Sequence, residues 1–252
     1  MAKKRIVIAN WKMYIASPKA ALGFARALRR RTRLFGGIDI VLAPQTPLIG
    51  ALSGTLKGST IKVAAQHVSE FEDGAHTGEV AAAALKAAGA QWVIVGHSER
   101  RARGEKEASI HQQLVNAAHA GLVPVLCVGE RHRSEDGSHF TVIEKQLLSA
   151  VKGAQSMLGK IVIAYEPVWA IGKTAEHAMK PDDLEEMVIF IRKTLAEALS
   201  RKEALTLPVL YGGSVEPQNA AALIRTGISG FLVGHASVEL NSFIEILTAC
   251  KR

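Results

Sequence analysis

A closed, eight-stranded parallel (β/α)8 barrel of the α/β class is the architecture this sequence predicts, on three observations. Short apolar runs suited to strands buried on both faces recur eight times. Helix-like stretches rich in Ala, Leu, Lys and Glu stand between them. The alternation fills 252 residues, close to the usual length of such a barrel. A doubly wound open sheet alternates in the same way, so the count alone leaves that arrangement open. No linker rich in Pro, Gly or Ser divides the chain, and one domain over residues 1–252 is expected.

Taken in order, the first strand is Ile6–Ala9, followed by Asn10, Trp11 and Lys12, and then by a helix over Pro18–Arg33. Strands follow at Ile38–Ala43 and Ile61–Ala65, then a helix over Glu79–Ala88. Gly89 stands just past it, where a left-handed residue is wanted, and Gly121 repeats the device after the helix Lys106–Ala120. The strand Trp92–Val95 runs into Gly96, His97, Ser98, Glu99, Arg100 and Arg101, which read as a helix start. Val123–Val128 ends in Gly129 and Glu130, and a helix is expected over Phe140–Ala154. Ile161–Tyr165 is followed by Glu166 and Pro167; proline lacks an N–H and ends the strand. Pro181 with Asp182 and Asp183 opens a helix to Leu199, with proline early and acids in the first turn. Leu207–Tyr211 leads into Gly212, Gly213 and Ser214, and Gly230–Val233 into Gly234 and His235, before a last helix over Val238–Cys250.

Composition excludes several classes. At 48% hydrophobic the chain can bury a sizeable core, yet no run approaches the roughly 18 apolar residues of a membrane span. The basic start carries an apolar run that stops at Ala9, shorter than a signal peptide's core, so a cytoplasmic chain with no membrane partner is expected. Two cysteines give no disulfide framework, and Cys127 reads as a core thiol. The net charge of +8 is concentrated in part at Arg26–Arg33. With no aromatics interleaved, that stretch reads as a solvated face, and no nucleic-acid partner is expected. No histidine falls in a zinc spacing, and no dinucleotide or Walker motif is present, so neither metal nor cofactor is expected.

Six strand ends carry polar or glycine-bearing groups, and a closed barrel gathers such ends at one mouth. Asn10 and Lys12 share a direction at period two, and Lys12 is a compact cation for an anionic substrate. His97 at a helix start resists protonation and can donate an N–H to a carbonyl oxygen. Glu99, Arg100 and Arg101 read as an ion-pair network around the mouth. The glycine turns at Gly212–Ser214 and Gly234 stand where barrels hold phosphate through backbone N–H groups. Glu166 precedes a greasy segment, Val168–Gly172, that must be covered at some moment; a lid there would exclude water from a candidate base. Together these groups suit proton abstraction α to the carbonyl of a sugar phosphate, with Glu166 as base and His97 polarising the carbonyl.

ANWKM at Ala9–Met13, TGE at Thr77–Glu79, VGHSERR at Val95–Arg101, AYEPVWAIG at Ala164–Gly172, YGGSV at Tyr211–Val215 and GFLVG at Gly230–Gly234 together resemble the triosephosphate isomerase family, over essentially the full chain. That resemblance implies a TIM barrel and a cofactor-free, homodimeric enzyme of glycolysis and gluconeogenesis, interconverting dihydroxyacetone phosphate and glyceraldehyde 3-phosphate. It carries over Glu166 as base, His97 as neutral electrophile and Lys12 as electrostatic stabiliser. Asn10 would bind substrate, with Ser98, Glu99 and Tyr211 in support. Phosphate would lie among the backbone groups of Gly172, Ser214, Gly234 and His235. Glu130 would orient Trp169 in the lid. The loop Gln66–Gly78 would enter the partner subunit, Thr77 reaching that neighbour's Asn10 and Lys12.

Three departures from the family pattern stand out. The lid runs from Gly172 straight to Lys173, two residues shorter than usual, so a customary glycine contact to Ser214 is expected to be missing. His235 replaces a glycine, so backbone strain is expected if φ there is positive; alternatively the ring adds a side chain near the phosphate. Tyr14 stands where asparagine is frequent and reads as an interface or surface change. The altered lid keeps a four-carbon ketose phosphate (erythrulose phosphate) open as an alternative substrate. A non-catalytic sugar-phosphate-binding protein is a third reading, weakened by the retained base.

Overall fold

The structure, a computed structural model, describes residues 4–153, 161–173 and 178–251. Eight parallel strands close on themselves in chain order, so the closed barrel is the arrangement found and the open sheet is not. The strands are β1 (Arg5–Asn10), β2 (Ile38–Ala43), β3 (Lys62–Ala65), β4 (Trp92–Val95), β5 (Val123–Val128), β6 (Val162–Tyr165), β7 (Val209–Tyr211) and β8 (Gly230–Val233). Around them run α1 (Pro18–Arg29), α2 (Ile49–Leu56), α3 (Ala82–Ala87), α4 (Ser98–Ala102), α5 (Glu107–His119), α6 (Ser138–Val151), α7 (Pro181–Ala198), α8 (Arg201–Thr206), α9 (Pro217–Leu223) and α10 (Leu240–Ala249).

Strand parity divides the core into two layers. Ile6 and Ile8 of β1, Val125 and Cys127 of β5, and Val162 and Ala164 of β6 fill the barrel interior. Their alternates, such as Val7, Leu126 and Ile163, pack outward against the helices. The same parity brings Asn10, the last residue of β1, and Glu166, just past β6, inward over the interior layer. Ladder bonds hold those extensions. The Trp11 amide donates to Ala43 O at 3.1 Å, Glu166 to Val128 O at 2.8 Å, and Gly212 to Tyr165 O at 2.8 Å. Cys127 is a core thiol as expected, and burial pushes its pKa up.

Several boundaries differ from the sequence reading. The first helix ends at Arg29, where the Thr32 hydroxyl donates to the Arg29 carbonyl at 2.9 Å, and a 3-10 turn Thr32–Phe35 follows. The third helix starts at Ala82 instead of Glu79, because the preceding Val80 carbonyl accepts the Ser69 amide across the 66–78 loop. Ile61, Ile161 and Leu207 precede their strands; they are apolar because they are buried, not because they pair. The helix read to Ala154 closes at Val151, and Ala154 lies outside the described residues, as do Lys160 and positions 174–177. Gly89 and Gly121 have positive φ as expected, and α7 opens on Pro181. The Arg26–Arg33 stretch is solvated: all five of its arginines are exposed. Among the described residues no helix is long and apolar enough to cross a membrane.

Closure itself depends on Gly230, where β8 meets β1. Its φ is +148°, and a Cβ there would lie 1.8 Å from Ile6 O. Gly230→Ala is therefore expected to destabilise the fold by about 3 kcal/mol or more, read as a lowered denaturant midpoint. A parental midpoint would refute the close approach.

Candidate active site

A cavity of about 320 Å³ opens at the carboxyl ends of the strands, within the range of small-molecule sites. Asn10, Lys12, His97, Glu166, Gly172, Ser214, Gly234 and His235 all line it, so the residues predicted for chemistry and for binding converge. At its floor Glu166 is 2% exposed, His97 7% and Asn10 4%. Glu166 Oε1 lies 3.1 Å from His97 Nε2, and the Ser98 amide donates to Glu166 Oε2 at 3.1 Å.

His97 occupies the N-cap of α4, and its Nδ1 accepts the Glu99 amide at 3.2 Å. With Nδ1 serving as acceptor, the neutral ring carries its proton on Nε2, the nitrogen facing the cavity. Asn10 Oδ1 takes the Lys12 amide at 3.1 Å, which turns Asn10 Nδ2 toward that same Nε2, 3.4 Å away.

Two influences compete at this pair. Burial alone would lower the His97 pKa, but the Glu166 carboxylate beside it and, to a smaller degree, Glu99 together outweigh burial, and the net direction is upward. For Glu166 burial alone would raise the pKa, but His97, the Ser98 amide and Lys12 outweigh it and hold the carboxyl below its ordinary value. The helix-start argument therefore meets an opposing charge that sequence did not place beside the ring. A carbonyl oxygen that replaced Glu166 against Nε2 would remove the larger upward cause and leave the smaller one, the Glu99 carboxylate. Burial and the Glu99 amide would remain, both favouring a neutral N–H donor.

Lys12 is the one non-glycine residue with positive φ among the described residues, at 45°. Gln66 fixes it, donating from Nε2 to Lys12 O and to Ala43 O, both at 2.9 Å. Lys12 Nζ reaches Glu99 at 2.7 Å. The predicted Glu99–Arg100–Arg101 network is not found; each side chain goes its own way. Arg100 pairs with Glu105, and Arg101 with Glu107 and the Gly96 and Cys127 carbonyls.

On the β6 side, Glu130 Oε1 accepts Trp169 Nε1 at 2.7 Å and the Tyr165 hydroxyl at 2.9 Å. No glycine follows Gly172 to reach Ser214; the Lys173 amide donates to Ser214 Oγ instead, at 2.9 Å. The shorter segment brings a different residue to the same hydroxyl. His235 is not strained, since its φ is not positive; it starts a 3-10 turn, His235–Ser237, capped by Gly234. Tyr211 is fully buried in the outer layer, not in the cavity, and burial pushes its pKa up. Thr77 lies on the exposed tip of the 66–78 loop, outside the cavity of its own chain.

The triosephosphate isomerase family model matches residues 5–250. The chain belongs to the triosephosphate isomerase family. Among curated relatives so named, the protein of Carboxydothermus hydrogenoformans is 40% identical over 251 residues, covering 97% of this chain and 98% of that one. That of Symbiobacterium thermophilum is 39% identical over 248 residues, covering 97% and 96%.

Sequence reasoning missed two contributors to this family's fold of the site. Gln66 is a polar group at the end of β3, the same signal that marked the other strand ends. Gly212 was read as part of a phosphate-binding turn; a Cβ there would lie 2.9 Å from Glu166 Cγ, so the glycine also makes room for the carboxylate.

Because Glu166 supplies the upward influence on His97, Glu166→Gln should lower the His97 titration relative to the parent. Ring-proton NMR of the ligand-free protein reads this directly, and an unchanged or higher titration would contradict the pairing.

Proposed function

We propose that this chain interconverts dihydroxyacetone phosphate and D-glyceraldehyde 3-phosphate through an enediol(ate), with no cofactor, as a triose-phosphate isomerase. One observation carries the reading: a buried carboxylate and an imidazole Nε2 stand 3.1 Å apart on the floor of a cavity that also holds an ammonium and a glycine-rich rim. Binding a phosphate needs no buried base, which disfavours a non-catalytic role. Membership of the family supports the triose over the four-carbon substrate.

In this reading the substrate's carbonyl oxygen takes the N–H of His97 Nε2 in place of Glu166. The freed carboxylate removes the proton from the adjacent carbon and returns it to the neighbouring one. Lys12 stabilises the negative charge that develops, and Asn10 helps to seat the oxygen. Glu99 holds Lys12, and the Ser98 amide holds Glu166 in its resting place. The phosphate sits against Gly172, Ser214, Gly234 and His235 at the outer end. The segment Val168–Lys173 is the lid, with Trp169 steered by Glu130; covering the enediol phosphate keeps water from promoting loss of its phosphate. Tyr211 supports the β7 turn from behind. The working form is a cytoplasmic homodimer serving glycolysis and gluconeogenesis, in which the exposed loop 66–78 brings Thr77 to the neighbouring Asn10 and Lys12.

A coupled assay with glyceraldehyde 3-phosphate tests the reaction: no turnover at millimolar substrate would refute it, and faster turnover of erythrulose phosphate would reassign the substrate. Glu166→Asp keeps the charge but withdraws the carboxylate by about 1 Å, and should lower kcat on the order of 10²-fold. Near-parental turnover of that variant would remove Glu166 as the base.

A further inference from the structure

The outer end of the cavity holds a ring pair that neither core packing nor the proton-transfer groups account for. Tyr14, from the loop after β1, meets His235, from the turn after β8, edge to face, with centroids 5.5 Å apart and planes at 83°. Both residues line the cavity. Both are exposed, Tyr14 at 58%, so burial of apolar surface is not what brings the rings together.

The backbone on each side is fixed. The Tyr14 amide donates to Trp11 O at 3.0 Å, and the neighbouring Lys12 is pinned by Asn10 and Gln66. Across the gap, Ser237 ties down Gly234 O through its amide at 2.9 Å and its hydroxyl at 2.7 Å, while the Val238 amide closes on His235 O at 3.1 Å. The two rings thus bridge the first and last loops of the barrel from rigid bases. They stand at the corner where the Lys12 ammonium lies about 3.9 Å from where a Gly234 Cβ would be. Backbone groups and small residues make up much of this rim, so a ring here adds a wall and a directed donor that glycine turns lack.

We propose that the Tyr14–His235 pair is a specificity-determining wall for the phosphate monoester: His235 donates a ring N–H to a phosphate oxygen, and Tyr14 is the positioning residue that holds the imidazole edge-on. The proposal rests on the isomerase reading for its substrate. An imidazole has an N–H to give in either protonation state, and its contact adds to the Lys12 charge without touching the carbon skeleton. The pair therefore acts on the binding of the phosphate and not on the proton transfer.

The test uses the full-length protein with His235→Ala, His235→Asn and Tyr14→Ala, each checked for parental size by light scattering. Kinetics are compared on glyceraldehyde 3-phosphate and on phosphate-free D-glyceraldehyde, and inorganic phosphate is titrated by calorimetry. His235→Ala should raise KM for the phosphorylated substrate and Kd for inorganic phosphate about tenfold, the usual loss for one hydrogen bond to a charged group. The loss on D-glyceraldehyde, which has no phosphate to hold, should be smaller than the loss on the phosphorylated substrate. His235→Asn, which keeps an N–H donor, should recover part of the loss, and Tyr14→Ala should show a smaller loss of the same kind. Equal losses on both substrates, or an unchanged Kd for inorganic phosphate, would overturn the proposal. If the parent itself fails to turn over glyceraldehyde 3-phosphate, the isomerase reading falls, and the phosphate titration still decides whether His235 binds phosphate.

Discussion

Everything around the cavity follows from one costly placement, a carboxylate that is 2% exposed at the mouth of a barrel. An ionised carboxylate out of water is tolerated only with partners that replace its hydration. Glu166 has the His97 ring on one oxygen and the Ser98 amide on the other. Room for it comes from two glycines. A Cβ on Gly212 would crowd its Cγ at 2.9 Å, and one on Gly129 would lie 1.8 Å from its carbonyl oxygen. Neither residue needs positive φ; both are glycine because the Glu166 residue is close. The same partners that make the charge tolerable also keep the carboxylate ionised.

The cation is placed by strain instead of burial. Lys12 has φ of 45°, unfavourable for a residue with a Cβ, and it persists because the Asn10 side chain and Gln66 fix its backbone from two sides. Extended backbone at this point would carry the chain onward along β1. The left-handed turn instead delivers the ammonium over the mouth, 2.7 Å from Glu99, and sends Tyr14 toward His235. One unfavourable dihedral therefore serves two contacts on opposite sides of the rim.

All eight strands and the convergence of their ends were legible in the sequence because they depend on a local signal, apolar runs of strand length closed by polar groups. The losses were of two kinds. Elements carried by burial instead of propensity stayed hidden: α2 contains Gly50, Ser53, Gly54 and Thr55, and is helical because Ile49, Leu52 and Leu56 are buried. By contrast, α8 carried a readable capping box, Ser200 with Glu203, that was passed over. At the site, residue types were readable while partners were not. Which way Glu99, Arg100 and Arg101 turn depends on Lys12, Glu105 and Glu107, brought close only by the fold. The upward influence on His97 likewise comes from a carboxylate 69 positions away in the chain.

The short segment over the site is where family pattern and physics part most usefully. Counting residues suggested that a contact to Ser214 would be lost with the two missing positions. A hydroxyl, however, accepts any backbone amide that reaches it, and Lys173 reaches it at 2.9 Å. The segment is also tied by the Val168 amide to Glu130 O, by Trp169 Nε1 to the Glu130 carboxylate, and by Ala170 O to the Ser214 amide. The segment is thus held at Val168, Ala170 and Lys173 on one side of the cavity. Tyr14 and His235 come from the loops after β1 and β8 and line the same cavity as Gly172 and Lys173, so its rim combines backbone donors from the β6 side with ring surface from the β1 and β8 sides.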